Sequence, residues 1–354
     1  MAVKINQKFV GDQHSVFITC EAGPTHDGVD SAKRLIDHAA LAGADAIKFQ
    51  IIDADRLVAD KEAKFEYQIL LDKVTNETKT VSEKLYDLLK RRSLSESEWK
   101  TVKDYADKAG LGFFATAAFP DEIDFLMELG CDSIKIASAD VNHFPLLRYA
   151  AKTGINVQLD TGSATIGEIE AAVEVITSEG NDNIIIHHCP SGYPARRDGI
   201  NLNIIKTLKR FFDFPIAFSD HSSGWVMDIA AVALGANLIE KTISEDRLTN
   251  SIEHMFSIEP HEMSKFVNEI HELEVALGNK RRVLSNVEKE KRVSQRRSAF
   301  LLDSAKEGSF LGDLKIEFRR PGDGLSPDEV ERFSDKKLVA SKPTGAKLFL
   351  NDFC

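Results

Sequence analysis

Short apolar, β-rich runs alternate with longer amphipathic segments along most of the chain, and this repeat limits the folds that the chain can adopt. Eight such runs occupy residues 16–21, 45–50, 112–116, 133–138, 156–161, 183–188, 215–220 and 237–242. Six glycines (Gly43, Gly110, Gly130, Gly154, Gly180 and Gly235) stand just before runs, where a glycine that ends a helix is expected. Runs this apolar are buried on both faces, which is typical of a parallel sheet. Eight β–α units in about 260 residues predict a (β/α)8 TIM barrel.

An open doubly wound sheet is the alternative fold for such a repeat. It is less favoured here because no G-x-G-x-x-G follows the first run. One connection, residues 51–95, is much longer than the others. Since it leaves the carboxyl end of the second strand, we expect it to overhang the barrel mouth and to act as a lid.

The pattern changes after the last predicted helix. Residues 1–279 form the predicted barrel and catalytic domain, and residues 280–297 are rich in Lys and Arg and are predicted to form a linker. Residues 298–354 contain short β-like runs separated by Gly and Pro, which predicts a small β-rich second domain.

Composition excludes several classes of function. The formal net charge of −11 argues against nucleic-acid binding, which needs a concentrated basic surface. No apolar run has the length that spans a bilayer, so no membrane partner is expected. The four cysteines are scattered without metal-type spacing, and a cytoplasmic protein with reduced thiols is predicted.

The predicted strands carry polar residues at their carboxyl ends, where TIM-barrel enzymes place their chemistry. These residues are Glu21, Lys48, Gln50, Thr116, Lys135, Ser138, Asp140, Asp160, Thr161, His187, His188, Ser219, Asp220, His221, Glu240 and Lys241. Lys135 is notable because a lysine inside a core strand is costly unless an anion or a carboxylate meets it. The pattern predicts a functional barrel mouth.

Three chemistries could use this set of residues. A Schiff-base aldolase would need one desolvated lysine, with Lys48, Lys135 and Lys241 as candidates. A metal hydrolase would need several converging His, Asp or Glu ligands. The third possibility joins an anionic enol to a carbonyl, which needs an anion clamp, an electrophilic group at the aldehyde and a carboxylate to carry protons.

The third chemistry coincides with a resemblance to the sialic acid synthase family. The matching segments are FITCEAGPTHDG (17–28), GADAIKFQ (43–50), DFLMELGCDSIKIASAD (124–140), FPLLRYAAKTG (144–154), HCPSGYP (188–194), FSDHSSG (218–224), ALGANLIEK (233–241) and SIEP (257–260). RRS (296–298) and RRPGDGLSP (319–327) resemble the antifreeze-like (SAF) C-terminal domain of that family. The resemblance implies condensation of phosphoenolpyruvate with an open-chain amino-sugar aldehyde to give a nonulosonic acid and phosphate.

The resemblance also implies roles for individual residues. Phosphoenolpyruvate would be held by Lys48, Thr116, Lys135, Ser138 and Ser219, with Gln50 and Tyr193 lining the pocket. Glu21 matches a glutamate that contacts the sugar, and His221 matches one of two histidine ligands of Mn²⁺ or Mg²⁺. Arg320 matches an arginine that reaches the partner subunit's active site, which implies a domain-swapped homodimer.

The chain departs from the family pattern mainly where the acceptor would bind. Asp140 replaces a catalytic glutamate, Thr242 replaces the second histidine ligand, and Ser191 replaces an asparagine. Glu253 stands where a shorter acidic residue precedes a histidine of the sugar-binding loop. After the third strand, Ala117 and a displaced phenylalanine interrupt the usual T-P-F. We therefore expect an unusual acceptor sugar.

Thr242 leaves the metal requirement open because a hydroxyl is a far weaker ligand than imidazole. Either metal binding is weak, or the reaction needs no metal, or another group replaces the missing ligand; the candidates are His188, Glu240 and Glu245. Two alternatives for function also remain. One is a synthase of another, shorter ulosonic acid, and the other is a catalytically silent homologue that binds phosphoenolpyruvate or an anionic sugar.

Overall fold

The computed structural model describes residues 1–354, which divide into two compact units, Met1–Gly278 and Asn279–Cys354. The strands of the first unit are β1 (Ala2–Ile5), β2 (Lys8–Gly11), β3 (Phe17–Glu21), β4 (Ala46–Gln50), β5 (Lys64–Leu70), β6 (Thr78–Lys84), β7 (Gly112–Thr116), β8 (Ser133–Ile136), β9 (Asn156–Asp160), β10 (Ile184–His188), β11 (Ile216–Asp220) and β12 (Leu238–Thr242). Its helices are α1 (Val29–Ala42), α2 (Ala54–Leu57), α3 (Leu85–Lys90), α4 (Glu96–Lys108), α5 (Pro120–Glu128), α6 (Phe144–Lys152), α7 (Ile166–Ser178), α8 (Arg197–Ile200), α9 (Asn203–Phe211), α10 (Val226–Ala233) and α11 (Pro260–Leu277). Short 3₁₀ turns occupy Ser138–Asp140 and His254–Phe256. No helix has both the length and the apolar character that a bilayer-crossing segment requires.

Eight of these strands close into a parallel barrel in the order β3-β4-β7-β8-β9-β10-β11-β12. The last strand pairs with the first, and Thr242 lies opposite Glu21. Each barrel strand coincides with one of the eight runs predicted from the sequence. The predicted (β/α)8 TIM barrel is therefore confirmed.

The helices cover the barrel with the apolar faces that their spacing predicts. In α1, Leu35, Ile36 and Ala39 are fully buried against the barrel core. Gly43 ends this helix with φ of +84°, and its N–H donates to a carbonyl of the last turn. Only glycine adopts this conformation without strain, so the chain can turn within three residues into β4.

The amino-terminal hairpin β1–β2 closes one end of the barrel and was not predicted from the sequence. Its residues Val3, Ile5 and Val10 are buried together with Phe17 and Phe114, which belong to the barrel. These strand residues lie at or before the middle of their strands, so the plug fills the end opposite the mouth. The mouth is therefore the open end of the barrel, at the carboxyl ends of the strands.

The long connection after β4 contains helices α2 and α3 and the antiparallel hairpin β5–β6. The hairpin packs on the segment between β12 and α11, where Leu70 contacts the buried pair Met255 and Phe256. Lys73, at the hairpin turn, donates to Glu259 at 2.5 Å. The predicted lid is thus docked on the loop that follows the last barrel strand.

The second unit consists of α12 (Asn286–Gln295), β13 (Ser298–Leu301), β14 (Ile316–Arg319) and α13 (Pro327–Arg332), with 3₁₀ turns at Leu311–Asp313 and Leu350–Asp352. β13 and β14 pair antiparallel, and a small core includes Leu301, Leu311, Leu338 and Leu348. The segment predicted as a linker, residues 280–297, includes α12.

Candidate active site

The centre of the mouth is formed by inward-facing side chains of β4, β8 and β12. Side chains alternate along a strand, so the inward positions are separated by two residues. This alternation turns Lys48, Lys135 and Glu240 toward one another although they are far apart in sequence. All three are buried, and Lys135 has no exposed surface.

Glu240 bridges the two lysines. One carboxylate oxygen lies 3.3 Å from Lys48 Nζ, and the other lies 2.6 Å from Lys135 Nζ. Burial alone would raise the pKa of Glu240, but the charges of Lys135 and Lys48 lower it well below its ordinary value. Glu240 therefore stays ionised and keeps both ammonium groups in place.

Two further carboxylates complete the charge cluster. Glu21 contacts Lys48, and Asp160 Oδ1 lies 3.0 Å from Lys135 Nζ. Although burial opposes it, Glu21 and Glu240 raise the pKa of Lys48. Lys48 is therefore an ammonium ion and not the neutral amine that a Schiff-base aldolase requires, and Lys135 is paired with two carboxylates.

A hydrogen-bonded layer supports Lys135 from below. Lys135 donates to Ser219 Oγ at 3.0 Å, and His187 Nδ1 lies 2.9 Å from the same oxygen. His187 Nε2 lies 2.9 Å from Gln158 Oε1, and Gln158 donates in turn to Ser133. Burial, followed by the charge of Lys135, lowers the pKa of His187 to about 3, so this imidazole is neutral. No role was predicted for His187 or Gln158 from the sequence, although both side chains point into the barrel, as the side chain of Lys135 does.

Lys241 faces away from the mouth, which corrects its assignment as a candidate reactive lysine. It contacts Asp220, donates to the Ser222 carbonyl at 2.6 Å and lies 3.7 Å from Asp228 of α10. Consecutive side chains of a strand point to opposite faces, and the residue before Lys241, Glu240, faces inward. Lys241 fastens β12 to β11 and α10.

The edge of the mouth that was predicted to bind the acceptor contains Glu21 and Glu253. Glu21 accepts from Gly23 N–H at 2.6 Å and from Gln50 at 3.5 Å. Glu253 Oε2 accepts from the Thr242 hydroxyl at 3.2 Å. Burial, and then the negative charge of Glu21, raise the pKa of Glu253 to about 8, so this carboxyl group is neutral at pH 7.

Residues from the four loops that follow β8, β9, β10 and β11 line the rim. Ser138 Oγ accepts from Gly162 N–H at 2.9 Å, and Ser191 Oγ lies 2.8 Å from Ser163 Oγ. The ring of Tyr193 lies 4.8 Å from that of His221. Thr116 is opposite Lys135 in the β7–β8 register, which places it beside the lysine cluster.

The remaining predicted residues have simpler surroundings. Asp140 is half-buried in the turn directly after β8, and burial raises its pKa. Arg320 lies in the second unit, where its Nε donates to the Gln295 carbonyl at 3.1 Å. Its predicted role in a partner's active site stays a prediction.

His221 was predicted as a metal ligand, and its surroundings test that prediction. Its Nδ1 lies 3.2 Å from the Pro190 carbonyl, which can only accept, so the neutral ring bears its lone pair on Nε2. That tautomer suits a metal ligand. The second position is Thr242, however, whose hydroxyl hydrogen is already donated to Glu253.

None of the proposed substitute ligands completes a site at His221. His188 Nε2 lies 2.6 Å from the Ile200 carbonyl, Glu240 bridges the lysines, and Glu245 accepts from Ser31 at 2.8 Å. The chain has one cluster of three residues with metal-ligand spacing, Glu259, His261 and Glu262, and it does not include His221. The side chains at the mouth therefore do not fit a binding site for a divalent metal ion.

Comparisons with known proteins agree with this geometry. The NeuB family model matches residues 35–282. An N,N'-diacetyllegionaminic acid synthase of Legionella pneumophila is 32% identical over 343 residues, covering 96% of this chain and 94% of that protein. The N-acetylneuraminate-9-phosphate synthase of Homo sapiens is 30% identical, covering 94% and 91%.

A solved structure extends the similarity to three dimensions. It is the N-acetylneuraminic acid (sialic acid) synthetase of Leptospira borgpetersenii in complex with citrate, which is 32% identical to this chain. The two align with a TM-score of 0.72 over 82% of this chain and 95% of that one.

Proposed function

The chain belongs to the NeuB family, and from this membership and its buried lysine cluster we propose that it condenses phosphoenolpyruvate with an amino-sugar aldehyde. The acceptor is an open-chain, N-acylmannosamine-like sugar, and the products are a nonulosonic acid and phosphate. The observation that carries the proposal is the pair of buried lysines, Lys48 and Lys135, bridged by Glu240 at the barrel mouth. Relatives described as synthases of N,N'-diacetyllegionaminic acid and N-acetylneuraminate 9-phosphate support this class of product.

The lysine cluster suits an anionic donor. Lys48 and Lys135 would take the phosphate and carboxylate of phosphoenolpyruvate, and hydroxyls of Thr116, Ser138 and Ser219 would complete the clamp. The cluster without ligand contains three carboxylates, Glu21, Glu240 and Asp160, around two lysines. When the donor binds, the two lysines must therefore exchange some of their carboxylate contacts for contacts with the ligand. An anion of high charge can compete for these contacts better than a neutral enol can.

The chemistry then follows from the arrangement of carboxylates. Carbon 3 of phosphoenolpyruvate attacks the aldehyde carbon, and the carbonyl oxygen takes up a proton. Water adds to the cation at carbon 2 and gives a proton to Asp140, which follows the lysine strand directly. The tetrahedral intermediate loses phosphate by cleavage of its bond from carbon 2 to oxygen, the hydroxyl proton passes to the departing phosphate, and the ketone forms. Glu21 would hold hydroxyls of the acceptor.

The rest of the proposed assembly concerns the second unit. We include in the proposal an antifreeze-like identity for residues 298–354 and a domain-swapped homodimer in which Arg320 reaches the partner's mouth. Sedimentation of the purified protein, together with the kinetics of an Arg320→Ala variant mixed with a mouth variant, tests this arrangement. A dimer that regains activity on mixing supports it, and a monomer with full activity contradicts it.

The function itself is tested by following phosphate release from phosphoenolpyruvate with a panel of N-acylated hexosamines. We expect release that depends on the acceptor, with phosphoenolpyruvate binding lost in Lys135→Met. Binding of phosphoenolpyruvate without release for any acceptor would favour the catalytically silent homologue. The absence of phosphoenolpyruvate binding would overturn the proposal altogether.

A further inference from the structure

The carboxyl group of Glu253 lies at the edge of the barrel mouth, beside the last residue of β12. Glu253 is buried, and its Oε2 accepts from the hydroxyl of Thr242. Thr242 is the last residue of β12 and lies opposite Glu21 in the barrel register. Glu253 is therefore held at the same edge of the mouth as the carboxylate assigned to the acceptor hydroxyls.

The backbone at Glu253 is held in an unfavourable conformation. Its φ is +71°, in the left-handed region that residues with a side chain seldom occupy. Such a conformation costs on the order of 1 kcal/mol or more and persists when the surrounding structure enforces it, as is common at functional sites.

Contacts from two directions enforce this conformation. Ser257 Oγ donates to the Glu253 carbonyl at 2.7 Å, and Arg92 donates to neighbouring Ser251 at 3.0 Å. The β5–β6 hairpin packs on Met255 and Phe256. The docked long connection thus helps to hold the loop that carries Glu253.

From this placement we propose that Glu253 acts as the general acid that protonates the acceptor's aldehyde oxygen, in place of a divalent ion. The inference rests on the proposed function. As the carbon–carbon bond forms, the carbonyl π electrons move to oxygen, and that oxygen takes the proton from Glu253. The resulting carboxylate regains a proton from solvent before the next turnover.

The charges around Glu253 are consistent with this role. The groups that face it are Glu21 from β3, Lys48 from β4, Glu240 and Thr242 from β12, and Tyr193 from the loop after β10. Burial and Glu21 raise the pKa of Glu253 to about 8, and Lys48 opposes the shift only in part because Glu21 contacts it. A carboxylic acid that is protonated at pH 7 can donate a proton to the aldehyde oxygen. A metal ion at the same place would have only the imidazole of His221 and the hydroxyl of Thr242 as ligands.

The test compares Glu253→Gln, Thr242→His and a control, Glu170→Gln, which changes an exposed glutamate of α7. Glu253→Gln should lower kcat by about 100-fold or more, as expected for loss of a general acid, while phosphoenolpyruvate binding stays unchanged. The kcat of the unmodified protein should fall as pH rises through about 8 and should be insensitive to EDTA. Electron paramagnetic resonance should detect no tight Mn²⁺ binding by the unmodified protein and measurable binding by Thr242→His.

Two results would overturn the proposal. One is a kcat that EDTA abolishes and Mn²⁺ restores in the unmodified protein, and the other is a Glu253→Gln variant with full turnover. Either result leaves the proposed function standing, because phosphate would still be released in the presence of acceptor. Failure of the proposed function would instead show as no release by the unmodified protein with any acceptor.

Discussion

Replacing Lys135 by methionine is the perturbation that most severely tests the charge cluster. Lys135 Nζ has four polar neighbours: Glu240 at 2.6 Å, Asp160 and Ser219 at 3.0 Å and His187 at 3.4 Å. Methionine has a similar length but no charge. The change would leave Glu240 with only Lys48, at 3.3 Å, and would leave Asp160 without a cation.

The expected magnitude follows from the burial of the cluster. Removing one partner of a buried ion pair typically destabilises a protein by about 3–5 kcal/mol, because the remaining charge stays desolvated. For a domain of this size, each kcal/mol lowers Tm by roughly 2–4 °C, so we expect a fall on the order of 10 °C. Differential scanning calorimetry and urea unfolding at pH 7 measure both quantities.

A second substitution separates charge imbalance from lost packing. Lys135→Met combined with Glu240→Gln removes one positive and one negative charge and should recover at least half of the lost stability. Lys103→Met is the matched control, since Lys103 is buried but pairs with the half-exposed Asp107 on the same helix, and it should cost less than about 1 kcal/mol. A Lys135→Met variant as stable as the control, or a double variant less stable than either single one, would refute the reasoning.

Three further predictions follow from other parts of the molecule. Ile5→Ala should destabilise the first unit by about 2–4 kcal/mol in urea unfolding, because Ile5 is fully buried in the plug of the barrel; a loss below 0.5 kcal/mol would contradict a packed plug. Asp140→Asn should lower kcat by about 100-fold or more without changing phosphoenolpyruvate affinity, whereas unchanged turnover would assign the proton of the attacking water to another group. Burial and Glu21 raise the pKa of Glu253 from 4.5 to about 8, so its protonated form is favoured by folding, and stability should decline as pH rises across that interval. Glu253→Gln should flatten this decline, and an identical pH profile for both proteins would contradict the assignment.

The barrel could be predicted because every strand repeats the same local signal. An apolar run follows a helix-ending glycine such as Gly43, and this signal needs no long-range information. The hairpin β1–β2 carries only three buried apolar residues, Val3, Ile5 and Val10, and most of its other residues are exposed. Its stability comes from packing on the barrel end, so the local sequence alone did not reveal it.

The sequence predicted which residues lie at the mouth, but it predicted the directions of their side chains only in part. Polar residues at the strand ends indicated a mouth, yet the sequence did not distinguish inward from outward positions on β12. Glu240 faces the lysines and Lys241 faces α10, although both were equal candidates before the register was known. Contacts between distant residues, such as Thr242 with Glu253, depend on a loop conformation with positive φ that no local pattern signals.

Phosphate release from phosphoenolpyruvate, measured with and without amino-sugar acceptors and paired with mass spectrometry of the product, tests the proposed condensation directly. We expect release that requires an acceptor, in equal amount to a product that contains the acceptor joined to a pyruvate unit. Lys135→Met should show neither product nor phosphoenolpyruvate binding. Acceptor-independent release, or the absence of phosphoenolpyruvate binding by the unmodified protein, would contradict the account.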